Sequence, residues 1–287
     1  MKIFFLLFAW AAIFSGCVFG QIRTADDLKP IFEATQSLDS HALVVFDVHD
    51  VLTMPKDQIL KKPYKYFFKD ALQQIADVDG EKEATSLENI VKKKHTVMLV
   101  DPAIISLLAT LQERGVLALA LTNARAGDSE GWVREDLLIS RLQSLGIDLS
   151  GSFPSLSCLP LEGSEVSSRA GSLLFVKGVI FTSQTPKGLV LKEFLRKSGF
   201  CPSQIIFVDD KVTNLESVQA FCTEAGIPFI GFQYTAVEKQ GTDVLDKKRA
   251  QLQLQVLKSE QRWIDDEEAT QMLNTTTDSH CCSSRVR

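Results

Sequence analysis

Four short stretches of this chain place oxygen and nitrogen groups at the ends of apolar runs. "LVVFDVHDVL" puts Asp47, His49 and Asp50 after the run that begins at Leu43, and "ALALTN" ends in Thr122 and Asn123. "TPKGLVLKEFL" opens a helical pattern with Lys187, and "IIFVDDKVTN" ends in Asp209 and Asp210 with Asn214 close behind. Short apolar runs rich in Val, Ile and Phe suit buried strands. In sheets of that kind chemistry gathers outside the carboxyl ends of the strands. Carboxylates from two strands, a lysine, a hydroxyl and nearby helix amino termini suit a hard divalent cation together with an anionic oxygen substrate such as phosphate. Any one stretch read alone is as well explained by turn or cap residues. Four of them in this order are much harder to explain that way.

Strands and helices alternate along the chain in the way such a site needs. After an amphipathic helix expected around Asp26 to Leu38 come "ALVVFD", "AIISLLATLQERG", "VLALALTN", "GLVLKEFLRKSG", "QIIFVDD", "NLESVQAFCTEAG" and "PFIGFQY", with helices closing at Gly115, Gly199 and Gly226. This is α/β patterning, a parallel sheet with helices on its faces. Two segments interrupt it. Residues 53–95 are charged and mostly helical in pattern, with Pro55 and Pro63 near the start. Residues 127–185 hold a helix near Val133 to Leu145, then "SLSCLPL" and "SLLFVKGVIFTS", β-rich runs suited to a hairpin on the sheet edge. No internal repeat is visible.

At 287 residues, 45% hydrophobic and 23% charged, the chain is globular in composition. A net charge of -5 gives no basic footprint for nucleic acid. Lys2 followed by the apolar Ile3 to Phe14 reads as a signal peptide, too short to span a membrane. Cleavage after Gly20 would start the mature chain near Gln21, with no transmembrane span; lipidation at Cys17 in Ser15-Gly16-Cys17 is the competing route. Export, to a periplasm or beyond the cell, would permit disulfides, and five cysteines follow Cys17. None forms a Cys-x-x-Cys pair. If the helix "NLESVQAFCTEAG" runs back along the strand "QIIFVD", Cys222 approaches Cys201 closely enough for a bridge to be considered. The polar end of the chain, 274–287, reads as a disordered tail after a domain spanning 21–273.

The same four stretches resemble the motifs of the haloacid dehalogenase (HAD) superfamily over roughly Ala42 to Tyr234. Asp47 stands at the nucleophile position, Thr122 at the hydroxyl position, Lys187 at the lysine position, and Asp209, Asp210 and Asn214 at the acidic position. Phrases such as "HDVLTMPKDQIL" and "IPFIGFQYTA" are further similar to an uncharacterised, often exported, bacterial branch of that superfamily. The resemblance implies a three-layer Rossmann-like fold in which 53–95 forms a small helical cap. It also implies a Mg²⁺-dependent phosphatase or phosphotransferase acting on a small phosphorylated molecule through an aspartyl phosphate. Asp47 would attack phosphorus; the cation would be held by Asp47, the main-chain carbonyl of His49, and Asp210 with Asp209 or Asn214. Thr122, Asn123 and Lys187 would bind substrate oxygen. Asn214 replaces the acid often found there, which lowers the negative charge of the site.

His49 departs from the motif, which has an aspartate acid/base at this position. Imidazole near Mg²⁺ and Lys187 favours its neutral form, a base for water but a poor acid for an alkoxide leaving group. Alternatively His49 ligates the metal and shifts preference toward Mn²⁺ or Zn²⁺. A third reading is a catalytically weak HAD domain that binds a phosphorylated ligand or a protein partner. Asp50 could replace the missing acid only if its side chain turns toward the site.

Overall fold

The computed structural model describes residues 20–129, 131–163, 166–168, 170–240 and 244–283, with side chains to residue 275. The expected signal peptide, with Cys17, lies outside the described residues, as do the side chains of Cys281 and Cys282.

The sheet grows from β1 (Gln21–Ala25), β2 (Leu43–Phe46), β5 (Leu117–Thr122), β8 (Cys158–Pro160), β9 (Leu174–Val176), β10 (Val179–Phe181), β11 (Ile205–Asp209) and β12 (Phe229–Tyr234). Its order is β1-β12-β11-β2-β5-β10-β9-β8. Pairing is parallel from β1 through β10, and β9 and β8 add antiparallel strands at one edge. The strand that carries Asp47 lies near the middle, with β11 and β5 as neighbours.

Helices cover both faces, which explains why the central strands are apolar on both faces up to their carboxyl ends. Val44 and Phe46 share a cluster with residues of α1 (Lys29–Thr35), α4 (Ile104–Glu113) and α5 (Arg134–Ser144). Leu43 and Val45 pack with residues of α6 (Lys187–Ser198) and α7 (Val212–Ala225). Alternate side chains of one strand thus feed two cores. The α/β expectation holds, with three layers around a mostly parallel sheet.

The two interrupting segments fold as follows. Residues 53–99 leave the sheet through β3 (Thr53–Pro55), pass through α2 (Lys65–Asp79) and α3 (Glu81–Lys94), and return through β4 (Val97–Leu99), antiparallel to β3. The expected hairpin lies within one run: β9 and β10 turn at Lys177 and Gly178, both at positive φ, and a Cβ at Gly178 would stand 2.3 Å from the Leu149 carbonyl oxygen. Only glycine fits there. "SLSCLPL" supplies the edge strand β8. A short ribbon, β6 (Asp128–Ser129) with β7 (Trp132–Val133), precedes α5.

The carboxyl-terminal part of the chain joins the insertion. α8 (Lys247–Glu260) buries Ala250 and Leu257 in one cluster with Ile59, Phe68, Leu87, Val91 and Trp263. Trp263 meets Phe68 edge-on, ring centroids 6.1 Å apart. α9 (Asp266–Ser283) follows and covers most of the segment expected as a tail. Cys201 and Cys222 are free thiols, which corrects the considered bridge: Cys222 is sealed among Leu215, Val218 and Phe221, while Cys201 is exposed. Burial pushes the Cys222 thiol up to about 12.

Candidate functional site

The site begins where β2 ends. Asp47 donates its backbone N–H to the Val208 carbonyl, and its Oδ1 accepts from the Val48 N–H at 2.8 Å. The chain then turns: the N–H groups of Leu52 and Thr53 return to the Val48 carbonyl, and Asp50 takes a left-handed φ of 64°. Strand geometry therefore does not extend to Asp50, so simple alternation does not decide its direction.

Lys187 is the hub. It opens α6, is fully buried, and reaches Asp47 Oδ1 at 2.8 Å and Asp209 Oδ2 at 2.6 Å. Its ammonium also lies 5.4 Å from the centroid of the Phe207 ring. The next residue explains how α6 reaches this deep. A Cβ at Gly188 would sit 2.0 Å from the Ser217 carbonyl oxygen, so glycine alone allows α6 and α7 to pack this closely.

Asp209 has no lone pair to spare. Oδ1 accepts from the Lys211 N–H at 2.8 Å and from Asn214 Nδ2 at 2.9 Å; Oδ2 accepts from Lys187 and again from Asn214 at 3.1 Å. Asn214 therefore serves Asp209. Asp210 is buried as well, and its Oδ2 receives the ammonium of Lys62, from the 53–99 insertion, at 3.1 Å. Burial pulls Lys62 toward neutrality, but Asp210 more than offsets it and holds the pKa above the usual lysine value.

Carboxylate oxygens of Asp47, Asp209 and Asp210 lie within 4.8 Å of one another. Burial raises the pKa of Asp47, with Lys187 opposing. Burial, then the charge of Asp47, pushes Asp209 up to about 6 against the same lysine. One ammonium shared by two buried carboxylates leaves the pair short of positive charge. A hard divalent cation supplies what is missing, and the all-oxygen donor set fits one.

Thr122 is fully buried and its Oγ1 accepts from the Ala124 N–H at 3.2 Å, which leaves its own O–H to donate. It lies 3.5 Å from His49 Nδ1, at the outer limit of a hydrogen bond. Asn123 accepts from Thr182 Oγ1 at 2.7 Å. His49 is exposed on the wall of a cleft of about 600 Å³. Neighbouring protein, then the charges of Lys65 and Lys187, pulls its pKa down to about 4, so the ring favours its neutral form.

The site thus links Asp47, Lys187, Asp209 and Asn214 directly, brings the Asp210 carboxylate beside those of Asp47 and Asp209, sets Thr122 beside His49, and places Asn123 in the cleft wall. Sequence reasoning did not find Lys62 or Lys65. Both lie in the insertion, where no local pattern says which way a lysine points.

A mostly parallel sheet covered on both faces, with these groups at the carboxyl ends of adjacent central strands, defines an α/β protein with a candidate site for a cation and an oxyanion. Over residues 24–270 it matches the family described as "Protein of unknown function (DUF2608)", and it belongs to that family. It is 20% identical over 218 residues to a "Putative outer membrane protein" of Chlamydia trachomatis serovar D, covering 73% of this chain and 76% of the relative. It is 22% identical over 240 residues to an uncharacterized protein of Rickettsia prowazekii, covering 83% of this chain and 85% of that one. Among solved structures it is similar to a haloacid dehalogenase-like family hydrolase from Streptococcus pneumoniae, at 15% identity and a TM-score of 0.36 over 70% of this chain and 97% of the other. No described helix is long and apolar enough to cross a membrane.

Proposed function

We propose that this chain is an exported hydrolase that transfers a phosphoryl group from a small substrate to Asp47 and then to water or another acceptor. The observation that carries this reading is the buried lysine bridge, in which Lys187 holds Asp47 and Asp209 while Asp210 completes a three-carboxylate cluster. A lysine this dry, spent on two acids at the carboxyl ends of central strands, costs desolvation that a folding role alone does not require.

Asp47 carries the nucleophilic oxygen. Its Oδ1 is fixed by Lys187 and the Val48 N–H, which leaves Oδ2 for attack. Mg²⁺ would be held by Asp47, the His49 carbonyl and Asp210, and would supply charge neutralisation for the phosphoryl oxygens. Asp209, its lone pairs fully used, positions Lys187 rather than ligating. Thr122 donates to a phosphoryl oxygen, and neutral His49 accepts a proton from water in the second half of the reaction.

A second reading is favoured by one feature of the site. His49 stands where an acid/base carboxylate is expected, and crowding with the charges of Lys65 and Lys187 lowers its pKa, which makes it a poor proton donor to a leaving alkoxide. A chain limited in this way would act on substrates with good leaving groups or retain its ligand unreacted. The discriminating experiment is turnover of p-nitrophenyl phosphate and acetyl phosphate with Mg²⁺ by the protein and by Asp47→Asn. Turnover lost in the variant supports the hydrolase; no turnover of either compound supports the binding domain.

A further inference from the structure

The cleft beside His49 has a charge opposite to that of the chain as a whole. It lies between α3 of the insertion and the segment from Asn123 to Leu142, and its volume of about 600 Å³ exceeds what a phosphate fills. Among its lining side chains the one acid is Glu88, and Glu88 is matched by Lys92 at 2.6 Å. Three guanidinium groups remain, those of Arg125, Arg134 and Arg141. Arg141 is spent on structure, donating to the carbonyls of Lys92 and His95 at 2.9 and 2.7 Å at the end of α3. Arg134 makes one long contact, 3.3 Å to the Asp128 carbonyl, and Arg125 is exposed with no partner among the described residues. His95, also in the wall, favours its neutral form and adds little to this charge.

Two further features give the cleft a shape. Trp132, on β7, stands half-buried between the two available arginines in sequence and offers a flat apolar face. Gln184 enters the wall from a strained turn, in which Ser183 and Gln184 both adopt positive φ, 44° and 67°. Ser183 is pinned there by hydrogen bonds to Ser172 O at 2.7 Å and from the Ala126 N–H at 3.3 Å. Non-glycine residues hold such conformations only when surrounding structure fixes them.

The geometry points to a substrate that carries a second anionic group, a carboxylate or a further phosphate, on a flat scaffold whose remote charge is bound by Arg125 and Arg134 while Trp132 covers the scaffold. This rests on the phosphoryl-transfer reading for the position of the first phosphate. Planar guanidinium groups recognise both anions in a bidentate way, so charge-assisted contacts and not the identity of the anion define the class.

The test uses the full chain with Mg²⁺ and three probes: phenyl phosphate, 4-carboxyphenyl phosphate and 1,4-phenylene bisphosphate. We expect kcat/KM for the two probes with a second anionic group to exceed that for phenyl phosphate at least about tenfold. In Arg125→Ala and Arg134→Ala that ratio should fall toward one, with partial recovery in Arg125→Lys. The two probes with a second anionic group separate carboxylate from phosphate as the natural group. Calorimetric binding of the same probes to Asp47→Asn reads the preference without turnover. Preferential binding without turnover in the wild type would sink the hydrolase reading and keep this one. Equal kcat/KM and equal binding for phenyl phosphate and the two probes with a second anionic group, or a preference that survives both alanine variants, would overturn it.

Discussion

The ammonium of Lys62 stands 3.1 Å from Asp210 Oδ2, so a cation from the insertion already sits on a carboxylate that Mg²⁺ would need. Lys62 is about a third exposed while the Asp210 carboxylate is almost dry, and a second contact, 3.8 Å to Glu238, holds the lysine from outside. Insertion and sheet are thereby coupled through Asp210: a cation bound at the carboxylate cluster would have to share Asp210 with Lys62 or displace it.

Removing that competitor should tighten metal binding. Like charges a few ångströms apart at a partly solvated site repel by about 1 kcal/mol after screening, so Lys62→Ala should bind Mg²⁺ roughly fivefold more tightly. Isothermal titration of both proteins checks this. Weaker binding in the variant would show that Lys62 orients Asp210 for the metal instead of contending with it.

Replacing His49 by the acid it lacks should restore proton donation. His49→Asp is expected to raise turnover of alkyl phosphates by about a hundredfold, and of p-nitrophenyl phosphate by much less, since that leaving group needs little help. Steady-state rates on the two substrate types decide the matter. A gain equal for both would assign His49 a role other than in leaving-group protonation.

His95 gives the fold a dependence on pH. Burial, then the charge of Arg141, lowers its pKa to about 4, while its Nδ1 lies 2.9 Å from the Val91 carbonyl. The unfolded chain binds a proton near pH 6.5 and the folded one does not until near pH 4, so stability is complete above the first value and declines as pH falls toward the second. The decline should be on the order of 2 kcal/mol. His95→Gln keeps an N–H donor and does not titrate. Urea denaturation between pH 7 and 4 should show a shallower loss in the variant; parallel curves would mean that His95 is protonated in the fold.

Asp57 should tie the end of the chain to the insertion. It accepts from Trp263 Nε1 at 2.9 Å and from the Asp266 N–H at 3.1 Å, although burial raises its pKa. Asp57→Ala leaves a buried indole N–H unpaired at a cost of about 1–3 kcal/mol. Amide exchange should quicken together in α2, α3 and α8. Faster exchange confined to residues near 57 would separate α8 from the insertion.

The strand-end groups were legible because each follows an apolar run buried on both faces, where composition alone marks a strand. Lys187 was legible for the same reason, through the helix start and the glycine beside it. What could not be read was reach across the fold. β1 is polar and mostly exposed, "QIRTA", and nothing in it announces a strand until β12 lies alongside. α8 has a plain amphipathic pattern, but only tertiary packing decides that its apolar side meets α2 and α3. Cys201 and Cys222 illustrate the limit of topology. The β-α-β path was anticipated, yet Cys222 faces the α7 core while Cys201 remains outside.

The most direct test of the central claim is to find the phosphoryl group on Asp47. The protein is mixed with Mg²⁺ and acetyl phosphate, quenched in acid, digested and mapped by mass spectrometry, with Asp47→Asn alongside. One phosphoryl group on the peptide bearing Asp47, absent from the variant, is the predicted result. Turnover without that label, or a label that persists in Asp47→Asn, would contradict the account.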